Sequence, residues 1–398
     1  MDVSQKKLMI LGAGRYQVPL IKGAIELGIE THVCSILGDY PGMGLSEHFH
    51  EVDIANSQEV LKLAQQIQPD GILTTATDVC LESIGLVVET MNLPGSGIKA
   101  SSSCLNKLLM KQNLVAAKVP TADYQVIEDV ESALDFFNNS SSACVIKPSD
   151  SSGSRGVNKI VDSSDIETAY NLAKEFSKSG VVLIEEWLDG EEFGAQAVVK
   201  NGQCELLVIH SDVTTAPPRR IPVGHGCPHP NETNLQAMVQ DMVNDAIKAI
   251  GINNTVSNID FILTENGPKI IELTCRMGGT RLPEVCGTYW GIDFYVLAIQ
   301  LALGNKIQIP ATPQGKPNAA HNLILEREGK IIRMESVKPR FVQETWFGVG
   351  DRVPLNVAKL AEFGYIQLIQ DEASSILPDL IYEVNRVAGS VVLEEDQR

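Results

Sequence analysis

IDFILTENGPKIIELTCRMGG, residues 259–279, reads as two apolar strands, 257–264 and 268–274, around a tight Glu265-Asn266-Gly267 turn. Asp260 lies in the first strand and Glu272 in the second, so a hairpin brings the two carboxylates side by side. Adjacent carboxylates repel unless a cation or a proton sits between them. Hard oxygen donors of this kind suit Mg²⁺ shared with phosphates. Arg276, four residues beyond Glu272, is placed to stabilise charge on a transferring phosphoryl group. Alone, the same pattern also fits a surface hairpin with two solvated acids.

Three stretches upstream supply context. SSSCLNKLLMKQNLVAAKVPTADY, 101–124, contains a helix over 102–118 with Lys107 and Lys111 on one face, which by itself is a solvated face. VIKPSDSSGSRGV, 145–157, ends an apolar strand on Lys147, where an unpaired ammonium is costly. Ser149–Gly156 follows as a loop of small residues with Arg155 inside it, and such backbone can approach phosphate oxygens. It is not a Walker A loop, because G-x-x-x-x-G-K-[ST] occurs nowhere. VVLIEEWLDGEEFGAQAVV, 181–199, places Glu185 and Glu192 either side of Asp189-Gly190, which also fits an ordinary hairpin with exposed acids.

In this order the four stretches resemble the ATP-grasp superfamily, most specifically through E-E-W-L-x-G-x-E at 185–192 and D-F-x(10)-E-x-T-x-R at 260–276. The resemblance covers roughly residues 5–310 and extends to the C-terminal part. It implies an α/β architecture: a Rossmann-like parallel-sheet pre-ATP-grasp domain (1–98), a two-lobed α+β ATP-grasp domain (99–308, lid lobe about 120–190) and a small C-terminal subdomain (309–398). It further implies that Lys107 and Lys147 contact ATP phosphates under a loop containing Ser152, Gly153 and Ser154. Glu185, Glu186 and Leu188 would read the adenine edge, and Glu192 the ribose. Asp260 and Glu272 would hold Mg²⁺, or Mn²⁺ in its place. The family's asparagine two residues after the glutamate is replaced by Thr274, whose hydroxyl can still ligate a metal, so a second metal position is less well provided. Lys147, Arg155 and Arg276 are the implied catalytic groups.

The resemblance implies a reaction in which the γ-phosphate activates a carboxylate and an amine then attacks the acylphosphate. KPSDSSGSRGV, ELTCRMGGTRLPEV and VGHGCPH look like the amino-acid ligases and the carbamoyl-phosphate-synthase-like carboxylate–amine ligases. Amide or peptide bond formation on an amino acid is therefore the expected activity. The alternatives are a purine-pathway-like enzyme using bicarbonate or a ribosyl amine, a ligase loading a carrier protein, and a nucleotide-binding regulator without catalysis. Arg281 suits a substrate carboxylate. The polar loop 213–229, with Arg219, Arg220 and His225, is a candidate lid. Asp78 follows a strand at the end where ligands gather in parallel sheets. His225-Gly-Cys227-Pro-His229 has no structural-zinc spacing, and His48 and His50 are expected to face solvent.

The N-terminal stretch LGAGRYQ, 11–17, poses a competing reading. Gly12 and Gly14 match a dinucleotide fingerprint, but the third glycine position is Gln17 and no acid follows the second strand before Asp39. The turn is instead read as a substrate edge at Gly14 and Arg15, where free N–H groups at the start of a helix favour an anion. The next elements alternate strand and helix: 17–27, 30–36, 57–67 from a Ser57 cap, 71–75 and 81–91. That alternation implies a parallel sheet.

Composition bounds the partners. The 398 residues carry a net charge of −18, which argues against a broad nucleic-acid or anionic-membrane surface and leaves small-molecule substrates as the expected partners. Eight scattered cysteines without a C-x-x-C pair suit a reduced, cytoplasmic chain. No run of about 18 apolar residues suggests a membrane span. A homodimer is the default oligomer.

Overall fold

A computed structural model describes residues 5–140, 142–151, 155–215, 221–356, 359–372 and 376–394. In chain order its elements begin with β1 (Lys7–Leu11), α1 (Val18–Glu26), β2 (Glu30–Ser35), β3 (His48–Glu51), α2 (Ser57–Ile67), β4 (Gly71–Leu73), α3 (Leu81–Met91), α4 (Ile98–Leu105) and α5 (Lys107–Ala116). Next come β5 (Tyr124–Ile127), α6 (Val130–Asn139), β6 (Cys144–Pro148), β7 (Asn158–Ile160), α7 (Ile166–Phe176), β8 (Val182–Glu186), β9 (Glu191–Lys200), β10 (Gln203–Thr214), β11 (Pro222–Cys227) and α8 (Glu232–Ile250). The rest comprises β12 (Thr255–Thr264), β13 (Gly267–Thr274), α9 (Leu282–Trp290), α10 (Phe294–Ala302), β14 (Asn318–Leu325) and β15 (Gly329–Arg333). The chain closes with β16 (Phe341–Thr345), β17 (Arg352–Val353), β18 (Ala361–Ile369), α11 (Ile376–Ser390) and β19 (Val392–Leu393).

The chain divides into two compact units. The first comprises Met1–Val208, Thr233–Gly279 and Phe294–Ile309; the second comprises Ile209–Glu232, Thr280–Asp293 and Pro310–Arg398. Segments 209–232 and 280–293 therefore belong with the C-terminal residues.

In the first unit, β3-β2-β1-β4 form a parallel sheet. Leu8–Leu11 are all fully buried, as a strand covered on both faces requires. Helix α2 is capped by Asn56, whose side chain accepts from Glu59 N at 3.3 Å, rather than by Ser57 as the sequence suggests. The single helix read over 102–118 is two helices. Asn106 leaves the helical conformation and its side chain caps α5, accepting from Leu108 N and Leu109 N at 3.0 and 3.1 Å. A second sheet, β5-β8-β6-β7, is antiparallel and packs Ile146, Ile160 and Ile184 against Ala169, Tyr170 and Ala173 of α7. Strand β9 belongs to a third sheet with β12 and β13, so 181–199 is not a hairpin: the chain leaves one sheet at Glu186 and enters another at Glu191.

In the second unit, β11, β14, β18 and β16 are successive antiparallel neighbours, and the end of β10 pairs with β11. Its core sets Leu323, Phe363 and Ile366 against Leu380, Val384 and Val387 of α11. In the region expected to be a polar lid, 213–229, residues 213–214 and 222–227 belong to this sheet, and 216–220 lie outside the described residues. Val223–Cys227 are buried. Alternating side chains satisfy the sheet core while the backbone is paired, which a run rich in Gly, Pro and His conceals in sequence. Among the described residues no single helix is long and apolar enough to cross a membrane.

Candidate functional site

The hairpin that opened the sequence reading forms as expected. Strands β12 and β13 pair antiparallel with Asp260 directly opposite Glu272, and a register irregularity follows immediately at Asp260/Phe261. Such a bulge re-aims neighbouring side chains. Asn258, two residues earlier and hence on the same strand face, donates from Nδ2 to Asp260 Oδ1 at 3.0 Å. Gln196 Nε2 donates to Asn258 Oδ1 at 2.5 Å, and Gln196 Oε1 accepts from Gly278 N at 3.0 Å. Sequence reasoning missed Asn258 and Gln196, although period-two spacing from Asp260 points to the former.

Lysines converge on this side of the unit. Lys107 opens α5, and its Nζ lies 3.1 Å from Glu272 Oε1 and donates to Ser151 O at 2.9 Å. Burial works against this ammonium, but Glu272, Asp78 and Glu185 outweigh it and hold its pKa above the usual lysine value. Lys147 in β6 reaches Glu185 Oε1 at 2.8 Å, and Lys111 reaches Glu185 Oε2 at 3.1 Å. The solvated-face reading of Lys111 is wrong. Its side chain is 0% exposed, with Nζ donating to Thr121 Oγ1 and Ala122 O at 3.1 Å each. Desolvation pushes its pKa down to about 8. Both lysines follow the break at Asn106 and keep a common face of α5, and Lys111 is buried by partners from outside that helix.

Asp78 is tied to the strand end that carries Thr274 and Arg276. Its carboxylate accepts from Arg276 Nη2 at 2.7 Å and from Thr274 Oγ1 at 2.9 Å. Burial raises the Asp78 pKa, but Arg276 and Thr274 more than offset this and the net shift is downward. Thr274 thus spends its proton on Asp78 and keeps oxygen lone pairs as its only ligating capacity. Glu186 is ion-paired with Lys269 and accepts from Asp123 N at 3.0 Å. Leu188 and Glu192 are half-buried, and Arg155 is exposed. Ser152, Gly153, Ser154, Arg219 and Arg220 lie outside the described residues.

At the opening turn, Gly14 begins the short helical turn Arg15–Gln17, with Arg15 half-buried. Gln17 folds back beneath the glycines: a Cβ at Gly14 would meet its Oε1 at 2.9 Å. Gln17 Nε2 donates to Thr75 O at 2.6 Å. A carboxamide fills the close-packing space that a third glycine leaves open in a dinucleotide site.

The second unit places the remaining candidates. Arg281 has φ +71°, and its Nη1 donates to Glu284 Oε1 at 2.7 Å while its guanidinium lies 3.8 Å from the Tyr365 ring centre. Glu284 is a local partner three residues on in α9, whereas Tyr365 and nearby Trp346 had no local sequence signal, because they come from distant segments. His225 is buried, with Nδ1 2.5 Å from Asp212 Oδ1, and His210 Nδ1 lies 2.9 Å from the same oxygen. Cys227 turns its thiol to Ile209 O, and His229 Nδ1 accepts from Asn231 N at 3.0 Å. In the first unit, His48 is exposed as expected, but His50 Nε2 lies 2.9 Å from buried His32 Nδ1.

Comparison with known proteins places this arrangement. Residues 104–280 match the model of the ATP-grasp domain. Phosphoribosylamine–glycine ligase of Lactococcus lactis is 32% identical over 302 residues, spanning 68% of this chain and 69% of that protein. The chain belongs to the ATP-grasp family. The uncharacterized protein y4rH of Sinorhizobium fredii is 25% identical over 311 residues, 77% of this chain, but the match spans only 60% of that protein's length. Among solved structures, phosphoribosylglycinamide synthetase from Anaerococcus prevotii superposes with a TM-score of 0.80 at 26% identity, covering 98% of this chain and 100% of that one. The L-amino acid ligase from Bacillus licheniformis also reaches 0.80, at 17% identity, covering 98% and 99%. The expected α/β ATP-grasp architecture therefore holds over nearly the whole chain.

Proposed function

We propose that the protein is an ATP-dependent carboxylate–amine ligase that forms an amide bond on an amino acid. The observation that carries this reading is the register pairing of Asp260 with Glu272, with Lys107 on one carboxylate and Arg276 held nearby in sequence by Asp78. Two carboxylates opposite each other, with Lys107 on one of them, are a donor set that fits Mg²⁺. When bound, Mg²⁺ would neutralise charge on the nucleotide phosphates.

The chain's own groups supply the rest. Lys107 and Lys147 bind phosphate oxygens, and Glu185, itself paired with Lys111, holds Lys147 in place. Arg276, oriented by Asp78, stabilises the phosphoryl group as a carboxylate oxygen attacks it and ADP departs. An amine nitrogen then attacks the acyl carbon, the C–O bond to phosphate breaks, and inorganic phosphate leaves. The family resemblance also supports adenine contacts from Glu185, Glu186 and Leu188 and a ribose contact from Glu192. Arg15, Arg219, His225 and Arg281 are kept as candidate substrate contacts, and eight free cysteines suit a reducing compartment such as the cytoplasm.

A second reading concerns the amine. The Lactococcus lactis and Anaerococcus prevotii proteins, by their names, join glycine to a phosphoribosylamine, and both exceed 25% identity. That reading shares the amino-acid carboxylate and replaces the second amino acid by a ribosyl amine. ADP formation should therefore depend on an added amino acid, and mass analysis of the product identifies the amine. ATP turnover indifferent to every amino acid and to glycine with phosphoribosylamine would overturn the ligase assignment.

A further inference from the structure

We infer that the second unit carries a binding site for a divalent first-row transition metal, formed by His210, Asp212 and His225. The inference does not rest on the ligase reading: none of the three residues belongs to the nucleotide-binding set, and metal binding at His225 takes the place of its candidate substrate contact. Backbone pattern puts them together. His210 and Asp212 are two apart on β10 and so share a face, and Asp212 stands directly opposite His225 on β11. One ligand atom from each of the three residues lies within 4.8 Å of the others. Two imidazoles and one carboxylate, two of them on one strand and the third across the ladder, form the N₂O set that holds such ions with coordination positions left open.

Hydrogen-bond accounting supports a metal over a self-contained polar cluster. Both Nδ1 atoms face a single oxygen, Asp212 Oδ1. Both Nε2 atoms are buried and have no hydrogen-bond partner among the described residues. If the protons sit on Nδ1, two buried acceptors are left unsatisfied. If they sit on Nε2, two buried donors are orphaned and three lone pairs converge on one point, which a cation reconciles. The side chains of His210, His225 and Asp212 are 1%, 3% and 8% exposed, so bulk water does not answer for either case. Tetrahedral ligation at about 2.0 Å separates ligand atoms by roughly 3.3 Å, so the present 2.5 and 2.9 Å contacts need to open only slightly.

The test is titration of the full chain, stripped with chelator, with Co²⁺ and then Zn²⁺. One Co²⁺ per chain should give visible d–d bands without a sulfur-to-cobalt charge-transfer band, and Zn²⁺ should bleach them. His225→Gln and Asp212→Asn should each weaken Co²⁺ binding by at least about 100-fold, with circular dichroism reporting whether they fold. Glu272→Gln should keep the bands, separating this site from the nucleotide-side carboxylates. Metal analysis of the protein as purified names the resident ion. Absence of bands in the wild-type chain, a thiolate band, or a folded His225→Gln chain with undiminished affinity overturns the proposal. If the variants fail to fold, the wild-type spectrum alone decides.

Discussion

Each unit buries a carboxylate between two basic side chains, and the two triads solve the problem differently. Around Glu185, Lys111 and Lys147 supply ammonium groups, and the fully enclosed Lys111 also donates to Thr121 and Ala122. Around Asp212, His210 and His225 supply imidazoles, and each leaves its second nitrogen unmatched among the described residues. An ammonium asks only for acceptors, which backbone carbonyls provide cheaply. A neutral imidazole asks for a donor and an acceptor at once. In the lysine triad each carboxylate oxygen faces an ammonium within 3.1 Å, whereas in the histidine triad both imidazoles crowd one carboxylate oxygen.

The sharpest way to break this contrast is to remove the central carboxylate of the lysine triad. Glu185→Gln should leave two buried ammonium groups against a neutral amide and destabilise the first unit by about 3–5 kcal/mol. Urea denaturation measures this, and a loss below 1 kcal/mol would mean that the lysines find other acceptors. Glu272 offers the opposite case, since its side chain is 42% exposed and its pairing with Lys107 is partly solvated. Glu272→Gln should change stability by no more than about 1 kcal/mol yet lower Mg-ATP turnover roughly 10²–10³-fold. Near-normal turnover removes Glu272 from the metal set.

Titration of Lys111 probes the same triad more gently. Its folded pKa of about 8 lies below its unfolded value, so between the two the unfolded chain binds more protons. Stability should rise with pH from about 8 to about 10.4 through this group, and below about 8 its contribution should be constant. Lys111→Met should flatten that part of the pH–stability curve, and an unchanged slope assigns it elsewhere. Gln17→Gly gives the neutral baseline for both triads. It completes the G-x-G-x-x-G spacing, but should bind no nicotinamide cofactor and should lose about 1–2 kcal/mol through an orphaned Thr75 carbonyl.

What was legible in the sequence follows from locality. Strands β1, β2, β12 and β13, helices α2, α3 and α8, and the Asp260–Glu272 hairpin are set by patterns a few residues long. The misread parts depend on distant partners. Lys111 looked solvated because Glu185, Thr121 and Ala122, which enclose it, come from elsewhere in the chain. His225 looked like part of a mobile loop because its neighbours His210 and Asp212 lie across a strand ladder. Asp78 looked like a free ligand because Arg276, which takes its charge, is 198 residues away.

The carboxamide of Gln17 reaches further than the turn it fills. It fastens the first strand-to-helix corner to Thr75, and Thr75 forms an isolated bridge with Met277, the neighbour of Arg276. A corner that in other proteins cradles a cofactor is here one end of a short strut whose other end is the arginine. The rigidity of the N-terminal sheet is thereby lent to a guanidinium more than 250 positions downstream, and a loosened first corner should register as a misaimed arginine before it registers as an unfolded domain.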